Sequence, residues 1–237
     1  MLDTILFDLD GTLLPLDMER FLQIYFGEMG RYFADLVEPR QLVERIWAAT
    51  NYMVNNVEPR TNVTVFMEHF GKLIDGDLEV YQKRFDEFYD RGFLKTRAAV
   101  AESLAMRQSV ARLKELGYDL VVATNPLFPE KAILHRIRWA GFEPSDFSYI
   151  TCYERNHYCK PQLQFFQEVL EETGKHPEQC LMVGNDDQED LAAAAVGIQT
   201  YLITNYLIRH GTGPLDATYQ GTDQDFLEFV KALPPVR

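Results

Sequence analysis

Short runs of apolar residues alternate along this chain with longer stretches in which apolar residues recur at helical spacing. The short runs predict buried strands. The longer stretches predict amphipathic helices, each ending at or near a glycine, which permits the turn that closes a helix. Strands that alternate with helices indicate βαβ units, so we expect an α/β fold with a doubly wound parallel sheet. The predicted strands are 4–9, 120–123, 149–151, 180–183 and 200–203, and the predicted helices are 100–116, 129–140, 161–173 and 188–196.

Residues 17–93 show helical patterns and contain no run that predicts a strand. Asp17, Glu38-Pro39 and Glu58-Pro59 stand where helices commonly begin. The segment holds 14 of the 30 aromatic residues of the chain, enough for a small hydrophobic core of its own. We therefore expect an α/β core formed by 1–16 and 94–237 and a helical cap subdomain at 17–93. A simple extension of the core is the alternative.

The first predicted strand ends on two carboxylates, Asp8 and Asp10, after which Gly11 and Thr12 turn the backbone. Side chains alternate between the faces of an extended chain, so these two acids point the same way. Like charges this close repel each other, so the pair is costly unless a cation or a shared proton relieves the repulsion. A costly pair at a strand end, where α/β proteins bind ligands, indicates chemistry.

Three further polar clusters follow predicted strands: Thr124-Asn125, Lys160-Pro161 and the acidic segment 184–190. The carboxyl ends of parallel strands converge on one crevice, so we expect all four clusters to surround one ligand. Taken singly, each has a structural explanation, as a turn residue, a strand-end cap or a helix start. Their joint occurrence after successive strands favours a functional site.

The formal net charge of −13 argues against a nucleic-acid partner, which would need a basic surface. Clustered acids instead favour a divalent cation. Three cysteines without regular spacing suit a reducing cytoplasm. Cys152, His157 and Cys159 offer too few and too irregular ligands for zinc, so unreactive buried thiols are the preferred interpretation.

Acidic Asp3 and Asp8 interrupt what would be the apolar region of a signal peptide, and no apolar run approaches the roughly 20 residues that span a bilayer. We therefore expect a cytoplasmic protein without a membrane partner. The sequence leaves the oligomeric state open.

The order of these motifs resembles that of the haloacid dehalogenase superfamily. Phe-Asp-Leu-Asp-Gly-Thr-Leu-Leu at residues 7–14 is similar to the D-x-D-G-T pattern of the family, and the other three clusters follow in the family's order. A helical insert between the first two motifs resembles the C1 cap class. The resemblance implies a Rossmann-like core and a hydrolase that acts on a small phosphorylated substrate.

By this resemblance Asp8 is the nucleophile that forms an acyl-phosphate, and Asp10 protonates the leaving oxygen and then takes a proton from water. The expected phosphate-binding residues are Thr124, Asn125, Lys160 and Gly11. Thr124 and Lys160 also count as catalytic, because they would stabilise the phosphoryl oxygens. The implied cofactor is Mg²⁺, bound by Asp8, the Asp10 backbone carbonyl and an acid of the fourth motif.

The fourth motif departs from the commonest form of the family, since Asn185 stands where many relatives have aspartate. We therefore expect Asp186 to ligate the metal, with Asp187 as the alternative. Asp190 lies four residues after Asp186 and would share its helical face. It is expected either to ligate the metal through water or to orient Lys160.

The resulting hypothesis is a Mg²⁺-dependent phosphatase of a small phosphorylated metabolite. A phosphomutase and a metabolite-binding protein without turnover are the alternatives, whereas dehalogenases generally lack the second aspartate, Asp10. Specificity is expected to reside in the cap and in residues 13–17. Arg20, Arg40 and Arg60 of the cap are either contacts for substrate anions or solvent-facing residues.

Overall fold

Six strands form one sheet in the computed structural model, which describes residues 1–236. They are β1 (Thr4–Phe7), β2 (Asp119–Val122), β3 (Tyr149–Ile150), β4 (Cys180–Gly184), β5 (Gln199–Ile203) and β6 (Tyr219–Gly221). The order across the sheet is β3-β2-β1-β4-β5-β6, and every neighbouring pair is parallel. This confirms the predicted α/β fold.

Eight α-helices accompany the sheet within the described residues. They are α1 (Met18–Tyr32), α2 (Pro39–Val54), α3 (Asn62–Leu73), α4 (Leu78–Arg91), α5 (Leu104–Glu115), α6 (Glu130–Trp139), α7 (Leu163–Thr173) and α8 (Asp223–Lys231). Short 3₁₀ helices occupy Phe93–Ala99, Pro144–Asp146, Pro177–Gln179 and Leu191–Val196.

Strand β1, in the middle of the sheet, is buried on both faces, because its side chains alternate between two hydrophobic clusters. Leu6 belongs to a cluster with α7, where Phe166 is fully buried. Phe7 belongs to the cluster on the opposite face, and its ring packs edge-on against Phe226 of α8 at 6.0 Å. Helices cover both faces of the sheet, as in a doubly wound fold.

Helices α1–α4 fill most of the segment predicted to form a cap. Two of the three predicted helix starts are present: the Asp17 side chain accepts a hydrogen bond from the backbone N–H of Arg20 at 3.0 Å, and α2 begins at Pro39. The cluster that contains Phe7 continues into these helices, and the ring of Phe21 lies 6.3 Å from that of Phe128. The division into a core and a separate cap stays a prediction.

Three sequence predictions were wrong in detail. No helix begins at Glu58-Pro59, because the Asn56 side chain bonds both backbone groups of Glu58 and holds a turn there. The predicted helix 188–196 is a 3₁₀ helix that starts only at Leu191, after turns fixed by Asp186. Strand β6 was missed, because its side chains are largely solvent-exposed and give no apolar run.

The described part of the chain contains no helix long and apolar enough to cross a membrane.

Candidate active site

Residues that follow β1, β2 and β4 meet at one edge of the sheet around a cavity of about 390 Å³. Asp8 comes directly after β1, and Thr124 follows β2 by two residues. These strands are neighbours in the order β2-β1-β4, so their carboxyl ends are adjacent. The predicted site residues that line the cavity are Asp8, Asp10, Thr124, Asn125, Asp186 and Asp190.

Lys160 lies fully buried between two of the predicted carboxylates. Its Nζ is 3.1 Å from Oδ1 of Asp8 and 2.6 Å from Oδ1 of Asp190. Burial disfavours the charged form of Lys160, but the two carboxylates outweigh that effect and raise its pKa. Asn125 fixes the segment, because its side chain accepts from the Lys160 backbone N–H at 3.2 Å. Lys160 is thus a permanent positive charge beside Asp8.

Negative charge exceeds positive charge around the cavity. Five acids line it, and the cations beside them are Lys160 and Arg136. Burial raises the pKa of Asp8 to about 8, with Lys160 opposing and Asp190 and Asp10 adding to the effect. A divalent cation would relieve this excess, and carboxylate oxygens are the donors that Mg²⁺ prefers. The residues present therefore fit a magnesium site.

Asp10 is paired with a residue that the sequence analysis missed. The Arg136 guanidinium donates a hydrogen bond to Oδ2 of Asp10 and lies over the Phe128 ring, 4.4 Å from its centroid. Arg136 is 1% exposed. Burial raises the pKa of Asp10, while Arg136 acts in the opposite direction. Among the described residues, Oδ1 of Asp10 and Nη2 of Arg136 are buried without a hydrogen-bond partner.

A signal for Arg136 was present in the sequence. It lies four residues after Ala132 and three after Ile133, on the buried face of α6. A charged residue on the apolar face of a helix needs a partner of opposite charge or hydrogen bonds. That pattern predicts a buried ion pair but does not identify Asp10 as the partner.

Asn185 of the fourth motif connects the loops around the site. Its Nδ2 donates to the backbone carbonyl of Tyr206 at 2.7 Å, and its Oδ1 accepts from the Thr12 hydroxyl at 3.1 Å. Gly11 packs directly against it with a φ of +82°, and a Cβ at Gly11 would stand 2.2 Å from Nδ2 of Asn185. The amide therefore joins three loops, a role that carboxylate oxygens cannot fill because they do not donate.

Asp186 and Asp187 differ in what they face. Asp186 lines the cavity, and its Oδ1 accepts from the backbone N–H groups of Gln188 and Glu189 at 2.8 Å each. Asp187 accepts from the backbone N–H of His210 at 3.0 Å and does not line that cavity. This difference favours Asp186 over Asp187 as a ligand for a metal beside Asp8.

Two further residues of the site were not predicted to act there. His210 places Nε2 2.9 Å from Oδ2 of Asp186. Nothing in the spacing of the sequence brings this segment to the fourth motif. Glu189 lines the cavity, and burial raises its pKa to about 7 against the pull of Lys160.

The remaining predicted alternatives concern cysteines and arginines. Cys152, Cys159 and Cys180 are buried free thiols, in agreement with the preferred interpretation. Arg40 pairs with Glu44 at the surface, and Arg60 pairs with Glu68. Among residues 1–236, no arginine lines the cavity.

The chain belongs to the haloacid dehalogenase-like hydrolases, because the model of that family matches residues 2–211. This confirms the resemblance drawn from the motifs and establishes the protein as a hydrolase of that family. No curated protein matches the sequence.

Solved structures of this superfamily share the fold over nearly the whole chain. A HAD phosphatase from Thermococcus onnurineus is 18% identical, with a TM-score of 0.60 over 99% of this chain and 100% of that one. The L-2-haloacid dehalogenase from Xanthobacter autotrophicus is 14% identical, with a TM-score of 0.61 over 98% and 100%. The HAD-hydrolase YfnB from Bacillus subtilis, solved bound to magnesium, is 17% identical, with a TM-score of 0.61 over 97% and 99%. Phosphatase and dehalogenase thus share this fold, so the side chains of the site must distinguish them.

Proposed function

We propose that this hydrolase is a Mg²⁺-dependent phosphatase that acts on a small phosphorylated metabolite through a phospho-Asp8 intermediate. The observation that carries the proposal is the placement of Asp8 between Lys160, at 3.1 Å, and a cavity that a second acid, Asp10, also lines. A nucleophilic carboxylate beside a fixed cation, with a separate acid for proton transfer, meets the needs of two-step phosphoryl transfer.

In the first step an oxygen of Asp8 attacks phosphorus, and the bond from phosphorus to the ester oxygen breaks. Asp10 gives its proton to the departing alcohol oxygen. In the second step water attacks the phospho-Asp8 phosphorus, Asp10 takes up a proton of that water, and phosphate leaves with Asp8 restored. Burial raises the pKa of Asp10 and so favours its protonated form, whereas the Arg136 guanidinium favours the carboxylate.

Lys160 and Thr124 are assigned to the phosphoryl oxygens, where Lys160 offsets developing negative charge. In the structure Asn125 holds the Lys160 backbone, so we assign it to positioning Lys160 as well as to the phosphate site. Asp8, the Asp10 backbone carbonyl and Asp186 would hold Mg²⁺, with Asp190 orienting Lys160. When bound, the cation supplies charge neutralisation that lets an anionic phosphate approach the carboxylates.

Asp10 separates this proposal from a dehalogenase. Alkyl halide displacement needs no proton for a leaving halide, whereas an alkoxide leaves phosphorus readily only when protonated. The three buried free thiols also support a reducing, cytoplasmic setting for the enzyme.

The test is phosphate release from p-nitrophenyl phosphate with Mg²⁺. We expect Asp8→Asn to lower kcat by about a thousandfold or more, because the amide cannot form the acyl-phosphate. Asp75→Asn is the matched control, since the side chain of Asp75 is 98% exposed, and it should retain full activity. Equal activity of Asp8→Asn and the wild type would refute the nucleophile. A phosphomutase would instead release isomerised product faster than phosphate.

A further inference from the structure

The active-site cavity has a polar end and an apolar end. Asp8 and its neighbours form the polar end, at the carboxyl edge of the sheet. Helices α1–α4 and the loop after β2 contribute large apolar side chains to the same cavity. These include Leu22, Phe26, Ile46, Trp47, Met67 and Phe128.

No cationic side chain lines the apolar end of the cavity to pair with a second anionic group. Among residues 1–236, no lysine, arginine or histidine lines the cavity. Lys160 and Arg136 lie buried behind Asp8 and Asp10. A carboxylate or second phosphate on the substrate would therefore leave water without gaining a cationic partner, which disfavours its binding.

Hydrogen-bonding groups are also few at that end. The hydroxyls of Tyr25 and Tyr89 bond each other at 2.8 Å, which uses one of their two O–H donors. The other O–H donor of that pair and the hydroxyls of Thr50 and Tyr153 remain, enough for two or three hydrogen bonds but too few for a sugar.

The apolar lining extends to the molecular surface. Met18 and Trp47 both line the cavity, yet they are 43% and 45% exposed. Tyr52, five residues further along α2, stacks on His69 with a centroid separation of 4.2 Å, outside the cavity. A bound apolar group would cover Met18 and Trp47 and so gain hydrophobic stabilisation.

We propose that the substrate is a phosphate monoester of an uncharged, apolar alcohol, whose hydrocarbon part occupies the end of the cavity formed by α1–α4. This rests on the proposed phosphatase function and names its substrate class. The volume of about 390 Å³ falls in the range of pockets that enclose a ligand of drug-like size.

The test is a chain-length series of alkyl phosphates, from ethyl through butyl and hexyl to octyl, each kept below its micelle-forming concentration. The leaving alcohols have nearly equal acidity, so differences in kcat/KM report burial of hydrocarbon. We expect kcat/KM to rise about fourfold for each added methylene until the cavity is filled. Benzyl and naphthylmethyl phosphates, whose leaving groups are also primary alcohols, form a second arm that distinguishes a flat aromatic alcohol from a flexible one. A flat or falling series, or faster hydrolysis of glycerol phosphate or glucose 6-phosphate than of hexyl phosphate, would overturn the proposal.

A matched pair of variants locates the effect. Trp47→Ala should lower the octyl-to-ethyl ratio of kcat/KM about tenfold, because it removes apolar lining at the mouth. Tyr52→Ala removes a similarly exposed aromatic from the same helix and should leave that ratio unchanged. The same shift in both variants would contradict the assignment of the cavity.

Binding of octylphosphonate and ethylphosphonate, measured by calorimetry, separates this proposal from the phosphatase proposal, because the carbon–phosphorus bond is not cleaved. Tighter binding of the octyl compound without turnover of any ester would refute the phosphatase alone. Turnover of p-nitrophenyl phosphate with equal binding of the two phosphonates would refute only the apolar substrate.

Discussion

Asp10 and Arg136 form a buried pair in which each charge stabilises the other. Arg136 is almost completely enclosed and donates to Asp10, whose side chain is 18% exposed. Removing water from both groups is costly, and their mutual attraction repays that cost only while both partners are present. The arginine therefore fixes the carboxyl that we assign to proton transfer.

We expect Arg136→Met to lower the free energy of unfolding by about 3 kcal/mol, because it leaves Asp10 without its partner. The double variant Asp10→Asn with Arg136→Met should lose at least 1 kcal/mol less than the sum of the single losses, since each removes the same interaction. Urea unfolding measures all three. Arg40→Met, which removes a surface pair, is the control and should change stability by less than about 1 kcal/mol. If the loss of the double variant equalled the sum of the two single losses, Asp10 and Arg136 would not be energetically coupled.

At the scale of elements, the site depends on three loops held together by one amide. Asn185, after β4, bonds Thr12 of the loop after β1 and Tyr206 of the loop after β5. Gly11 allows the first loop to approach this closely. The position of Asp10 is therefore tied to that of the fourth motif.

Gly11→Ala should destabilise the protein and lower phosphatase activity, because it adds both a strained φ and a clash with Asn185. Gly174→Ala separates the two effects, since Gly174 has a φ of +64° but nothing within 4 Å of an added Cβ. We expect Gly174→Ala to lower the free energy of unfolding by about 1–2 kcal/mol and to leave kcat unchanged. Gly11→Ala should lower the free energy of unfolding by more than this, and it should also lower kcat. Thermal unfolding and phosphate release measure the difference. Equal losses at the two glycines would argue against a close contact at Asn185.

Elements with continuous apolar runs were predictable, and those without such a run were not. β1, β2 and β4 are buried throughout or nearly so, and their sequences show it. β6 is an edge strand without an apolar run, and the turn at Glu58 depends on a side chain two residues away. Within the site, motif order predicted the convergence at Asp8. The contact of His210 with Asp186 could not be predicted, because it arises from how the loops after β4 and β5 pack.

At the scale of the whole molecule, part of the excess of acidic residues lies around the cavity. The chain carries a net charge of −13, and five acids line this one cavity. Burial and the neighbouring acids hold the pKa of Asp8 near 8, well above its ordinary value. In the metal-free protein, Asp8 therefore keeps a proton at pH values where the unfolded chain has lost it.

This raised pKa predicts a pH-dependent effect of Mg²⁺. As pH rises from about 4 to about 8, Asp8 makes the metal-free fold progressively less stable, because the unfolded state loses its proton first. The cation competes with that proton, so it should raise Tm more at pH 8 than at pH 6. The Asp8→Asn variant has no proton at this position for the cation to displace. The increase of its Tm by Mg²⁺ should therefore depend less on pH than that of the wild type. A larger Mg²⁺ effect at pH 6 than at pH 8 in the wild type would contradict the assignment of Asp8 as a ligand.

The positions of the two tryptophans make the intrinsic fluorescence of the protein sensitive to occupancy of the cavity. The chain has two indoles: Trp47 at the exposed mouth, and Trp139, 8% exposed and stacked 5.6 Å from the Phe93 ring. A molecule that enters the cavity removes water from the first and leaves the second in its packed surroundings. The protein therefore contains both a fluorescent reporter of occupancy and its own internal reference.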